Sequence, residues 1–220
     1  MRLSNKWVLA GLFFAEGWIT FDAASQQPLD AVKQQYSYRK QIPAEIKESV
    51  LQALSYYPEL KNVRIKFVIK KQYSTLTTRP SAISMLMPKG HRKYVITISD
   101  KTIPALTPLL FQNLPADAQI GVIGHELAHV ADFANDSFAE SIMKAAGHFS
   151  SSYLDKMEFN TDKICIEHGM GSYLDQWSSY IRDTLHTQYW RGSDYVKKGD
   201  DHFERYMNPG TIEKYMHIVK

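Results

Sequence analysis

Apolar residues fall on every second position from Val63 to Ile69. Val63, Ile65, Phe67 and Ile69 alternate with Arg64 and Lys66, the period of a half-buried strand. Val68 breaks the alternation, so the outer face of that strand is expected to be partly covered. A second run, β-branched and aromatic, predicts a strand over residues 94–99. Upstream, Pro43 opens a helical pattern through Ile46, Val50, Leu51, Leu54 and Tyr57, and Pro58 stops it. The most regular helical period follows Pro115, where Ile120, Ile123, Leu127 and Val130 recur as a core-facing stripe. Pro115 suits a first helical turn, and Asp117 suits the positive end of the helix dipole.

The remaining segments are shorter. Residues 72–92 read as loop, with Pro80, Pro88 and Gly90, and hold a short strand within 81–87. Residues 101–114 predict a short helix leading into the one after Pro115, and 138–149 a further short helix or a loop. Ser150, Ser151 and Ser152 can cap a helix that runs through Glu158 and Asp162 to about His168, with Gly169 and Gly171 as a left-handed stop. Leu174, Trp177, Ile181 and Leu185 keep helical spacing, and Asn208-Pro209-Gly210 precedes a final short helix. Strands and helices in this order predict an α+β fold with a small mixed or antiparallel sheet.

The chain of 220 residues is 44% hydrophobic and 22% charged, which suits one good-sized globular domain over residues 26–220. A net charge of +3, with the basic residues spread along the chain, argues against a nucleic-acid partner and marks no polybasic membrane patch. One cysteine excludes an intrachain disulfide. Arg2 and Lys6 precede an apolar run over 7–15, and Ala23, Ala24 and Ser25 come just before polar Gln26-Gln27-Pro28. That order describes a secretory signal peptide over residues 1–25 and a secreted, periplasmic or envelope location. Glu16 and Asp22 depart from it; a retained N-terminal anchor and a buried N-terminal helix are the alternatives, and membrane contact is expected through the N-terminus only.

Chemistry concentrates in Gly124-His125-Glu126-Leu127-Ala128-His129-Val130. On a helix, residues four apart share a face, so His125 and His129 aim two imidazoles at one point, as a zinc ion requires. Glu126 beside them is placed to act as general base on a metal-activated water. A third ligand must come from another segment. Glu158 is the leading candidate, and Asp162, one turn on, can fix the tautomer of a ligating imidazole. Glu140, His148, Asp155, Glu167 and Asp162 itself are the alternatives, with Cys165 either a thiolate ligand or a small buried hydrophobe. Asp132 shares the face of His129, as a hydrogen-bond partner or as a cap or ion pair at the helix end. A donor to a developing oxyanion is sought among His186, Tyr189, Tyr195, His202, Arg205 and Tyr206, which no spacing separates.

His125-Glu126-x-x-His129 followed by Glu158-x-x-x-Asp162 resembles the gluzincin metallopeptidases, nearest to small soluble bacterial relatives of the CAAX prenyl endopeptidases. Thr161 stands where an alanine is more usual. The resemblance implies a zincin-like domain whose sheet packs on the motif helix. It implies Zn2+ on His125, His129 and Glu158, Glu126 as catalytic base, and a peptide or protein substrate. In zinc peptidases a strand near the motif can pair with an extended peptide. The strand at 94–99 is a candidate for that role or an interior strand without it. The alternative function is a catalytically silent zinc-binding relative acting as a binding or chaperone-like module.

Overall fold

The computed structural model describes residues 35–147, 150–196 and 204–219. The expected signal segment, His148 and His202 lie outside these residues. Four strands form one mixed sheet: β1 (Lys40–Gln41), β2 (Arg64–Ile69), β3 (Leu76–Pro80) and β4 (Lys93–Ile98). Their order is β1-β2-β4-β3. β1 runs parallel to β2 and β2 parallel to β4, while β3 runs antiparallel to β4 at the sheet's edge. The alternation read at Val63–Ile69 holds: Ile65 and Phe67 are buried and Lys66 is exposed. Lys40 anchors β1, its Nζ donating to the carbonyls of Leu60, Lys61 and Val63 at 2.9, 3.1 and 2.7 Å.

Three expectations are resolved here. The strand expected over 94–99 spans Lys93–Ile98 and takes the interior reading, paired on both sides, so it offers no free edge to a peptide. The edge belongs to β3, in the stretch read as loop, and residues 82–86 form a 3-10 turn rather than a strand. Pro80 reads as a breaker, yet it ends a strand at the sheet margin, where a missing N–H is tolerated. Ser84 bends the following chain by bonding both backbone groups of Lys93 through its hydroxyl.

Six helices lie among the described residues: α1 (Lys47–Leu54), α2 (Ala116–Asn135), α3 (Phe138–Gly147), α4 (Ser151–Glu167), α5 (Gly171–Leu185) and α6 (Pro209–Val219). Residues 101–114 form two 3-10 turns instead of the expected short helix, because Leu110 between them is extended. α2 starts after Pro115 and is the central element, packed on α1, α4, α5 and β3. The stripe read from its sequence understates its burial: every residue from Gly121 to Ala131 is buried, as expected of a helix enclosed on all sides. α2 and α5 touch through backbone, since a Cβ at Gly121 would stand 2.1 Å from the Tyr173 carbonyl oxygen. Ser150 caps α4, accepting from the Tyr153 N–H, and Gly169 ends the following turn at φ +81°. Gly171 instead opens α5. No helix among the described residues is long and apolar enough to cross a membrane.

Candidate metal centre

The helical period of α2 puts His125 and His129 on one face, and α4 crosses opposite them with Glu158. Glu158 Oε2 lies 3.1 Å from His125 Nε2 and 3.1 Å from His129 Nε2. Among the described residues, His125, His129 and Glu158 form a group that can hold a metal ion, each offering a ligand atom within 4.8 Å of the others. Two imidazole nitrogens and one carboxylate oxygen are the donor set of a three-ligand zinc site, so the residues present fit the ion expected.

Both imidazoles are oriented from behind. Asp162 Oδ1 sits 2.7 Å from His125 Nδ1, and Asp162 Oδ2 accepts the Met207 backbone N–H at 2.7 Å. Thr161 donates its hydroxyl to the Met157 carbonyl at 2.9 Å, which leaves its oxygen free to accept from His129 Nδ1 at 3.2 Å. With Nδ1 of each ring turned outward, each Nε2 faces Glu158. Glu158, Thr161 and Asp162 are spaced i, i+3 and i+4, one face of α4. Thr161 is therefore a site residue that reasoning from sequence missed, although its position in that pattern was a usable signal. Trp177 and Tyr206 pack on the His125 ring at centroid distances of 5.3 and 5.5 Å, and Phe133 stacks on His129 at 5.9 Å.

The electrostatics follow from this packing. Burial alone would lower the His125 pKa, but its hydrogen bonds to Asp162 and Glu158 outweigh burial and raise it to about 10. Burial alone would raise the Glu158 pKa, but the facing histidines hold it well below the usual carboxylate range. For Glu126 burial wins, and its carboxyl is raised despite His129, His125 and a hydrogen bond from Thr78. That bond crosses from the edge strand: Thr78 Oγ1 donates to Glu126 Oε2 at 2.6 Å and lies 3.2 Å from the Glu126 carbonyl. Glu126, His125, His129 and Glu158 open onto a cleft of about 280 Å³ between β3 and residues 191–194.

The other candidates fall elsewhere. Glu140 is exposed and forms a capping box with Ser137 at the start of α3. Asp155 accepts from Arg191 at 2.8 Å and from Arg205 at 2.6 Å, and Glu167 pairs with Lys163 on the surface. Asp132 takes the ion-pair reading, bound to Lys144. Cys165 is buried among Tyr57, Met170 and Gly124, and burial raises its thiol pKa. Of the oxyanion candidates, Arg205 and Tyr206 line the cleft. Arg205 is committed to Asp155 and Asp194, whereas burial beside Glu158 and Glu126 pushes the Tyr206 hydroxyl well up and keeps it a donor. Tyr189 is exposed and His186 caps α5 in a left-handed turn, while the Tyr195 side chain lies outside the described residues. Compared with known protein families, curated proteins and solved structures, the chain shows no match.

Proposed function

We propose that this chain is a zinc-dependent endopeptidase with a zincin-like domain of the gluzincin kind. One observation carries the reading: His125, His129 and Glu158 converge on one point beside a buried glutamate, at the floor of an open cleft. His125, His129 and Glu158 would hold the ion, with Asp162 and Thr161 fixing the two rings. Zinc, when bound, supplies Lewis-acid chemistry that polarises a carbonyl and makes water a nucleophile near neutral pH. Glu126 takes the proton from the attacking water and passes it to the leaving amine. Thr78 holds the Glu126 carboxylate in place for both transfers. Tyr206 supplies a hydroxyl to the oxygen that gains charge. No described strand pairs with the outer edge of β3, which lines the cleft and suits an extended peptide chain binding by backbone hydrogen bonds. In the same reading residues 1–25 are an export signal, and the enzyme works in the cell envelope or outside the cell.

The deciding experiment pairs metal content with cleavage of an unfolded protein. About one zinc per chain is expected, lost in His129→Ala and retained in Glu126→Gln, which stops cleavage. Cleavage that persists in Glu126→Gln, or a wild type that takes up no zinc when offered it, would overturn the reading.

A further inference from the structure

Two features adjoin each other, the first on the sheet face turned away from α2 and the second on the turn that follows β3. The first is charge. Side chains alternate across a strand, so burying Ile65 and Phe67 of β2 sends Arg64 and Lys66 outward, and burying Tyr94 and Ile96 of β4 sends Lys93 and Val95 outward. Register sets Arg64 beside Lys93, Lys66 beside Val95, and Arg79 of β3 on the other side of Val95. Arg39, Arg64, Lys66 and Lys93 line a groove of about 490 Å³ that has no carboxylate in its lining. Among the described residues, none of Arg64, Lys66, Arg79 and Lys93 is in an ion pair. The fold thus gathers basic residues that the sequence spreads over 55 positions, Arg39 to Lys93 counted inclusively.

The second feature is apolar. Ser81 closes the groove, and the chain then enters the 3-10 turn Ala82–Leu86, pinned to Lys93 by Ser84 at 3.0 and 3.1 Å. On this turn and just after it, Ile83 is 81% exposed, Leu86 79% and Met87 42%. Three large aliphatic side chains on one pinned turn, adjoining a basic groove, are more than scattered surface apolarity.

We propose that this face docks the protein onto an anionic lipid bilayer. The cations meet the headgroups, and Ile83, Leu86 and Met87 enter the boundary with the acyl chains. A single-stranded nucleic acid would also meet the cations, but it is held by aromatic stacking and gains nothing from exposed aliphatic tips. The docking is separate from the chemistry of the metal centre and holds whether or not the cleft cuts peptides.

Co-sedimentation of the full chain with vesicles tests it, using phosphatidylcholine alone or mixed with phosphatidylglycerol. Binding is expected to the mixed vesicles only, and to weaken with added salt. Lys66→Glu with Lys93→Glu, and separately Ile83→Asp with Leu86→Asp, should each weaken binding on the order of tenfold or more at an unchanged unfolding midpoint. Equal binding to both vesicle types would overturn the proposal. So would mixed-vesicle binding that neither pair alters, which would place the lipid contact away from this face. A loss confined to the charge pair, with oligonucleotide binding indifferent to Ile83 and Leu86, would assign the face to nucleic acid instead.

Discussion

Thr78 and Glu126 are 48 residues apart in sequence and joined by a 2.6 Å hydrogen bond, from the edge strand to the buried carboxylate next to the first histidine. The bond fixes one oxygen of the proposed general base and thereby aims the other. Thr78→Val removes the donor while keeping the β-branched shape that the strand favours. The expected result is full zinc content, an unchanged KM and a kcat lower by about tenfold to a hundredfold, largely restored in Thr78→Ser. A zinc loss in Thr78→Val would show that the bond organises the metal centre rather than the base.

Behind the histidines the two supports are unequal. Asp162 is a buried carboxyl group bound at both oxygens, whereas Thr161 offers one hydroxyl oxygen at 3.2 Å. Asp162→Asn should weaken zinc binding by about tenfold to a hundredfold, and Thr161→Val by less. Competition with a chromophoric chelator reads both. Glu158→Ala, which removes the proposed third ligand, should fall below either, and full metal content in that variant would refute the assignment.

Tyr206 lies against His125 and lines the cleft, and its hydroxyl stays protonated. Tyr206→Phe keeps the ring and removes the donor. Cleavage kinetics should show a kcat reduced by about a hundredfold with little change in KM, as expected when a hydrogen bond is made only in the transition state. A rise in KM alone would mean that Tyr206 binds substrate without aiding the chemistry.

In the metal-free protein His125 is raised from 6.5 to about 10. A group raised on folding contributes stability that is fully present below its unfolded pKa and is lost as pH rises through its folded value. The metal-free protein should therefore lose stability against urea between pH 6.5 and about 10. Glu158 runs the other way: it is depressed, so its contribution is present above the ordinary carboxylate value of 4.5 and is lost on acidification below it. Within the upper window zinc must displace the His125 proton. Calorimetry in buffers of different ionisation enthalpy should then show about one proton released per ion bound. Binding enthalpies that do not depend on the buffer would contradict a protonated His125.

Gly121 lets α2 and α5 meet at backbone distance. Gly121→Ala gains helix propensity, worth about 1 kcal/mol. It also forces the Tyr173 carbonyl aside, and overpacking of this kind costs about 1–3 kcal/mol. The clash should win because the obstacle is backbone, which cannot rotate away, so thermal unfolding should shift downward. An upward shift would mean that the two helices separate without cost.

The legible parts of this fold were those with a strong local period. Val63 to Ile69 alternates because one face is covered, and Ile120 to Val130 repeats because a helix presents a face every turn. The shared face of His125 and His129 was legible for the same reason, whereas the sequence offered Glu158 only as the leading candidate among several, because the crossing of α4 over α2 has no local period. β3 was not legible. Thr77-Thr78-Arg79-Pro80 has no apolar alternation, and the strand exists through its pairing with β4. Sheet order was equally out of reach, because nothing in residues 94–99 says that β3 returns to cover their outer side. The backbone N–H of Met207 carries no side-chain signal at all, yet it completes the hydrogen bonding of Asp162.

That last contact sets an order in time. A ribosome makes His125, His129, Glu158 and Asp162 before Met207, so the candidate metal centre is synthesised while one oxygen of Asp162 still lacks its partner. The residues at 206 and 207 then seat on α5, through Arg182 to the Tyr206 carbonyl and Ser178 to the Met207 carbonyl. These contacts bring the completed support behind the His125 ring and the Tyr206 wall of the cleft into place together. A nascent chain stalled short of Met207 therefore carries the complete motif and an unfinished site; on the proposed function, that would withhold hydrolysis until synthesis is nearly done.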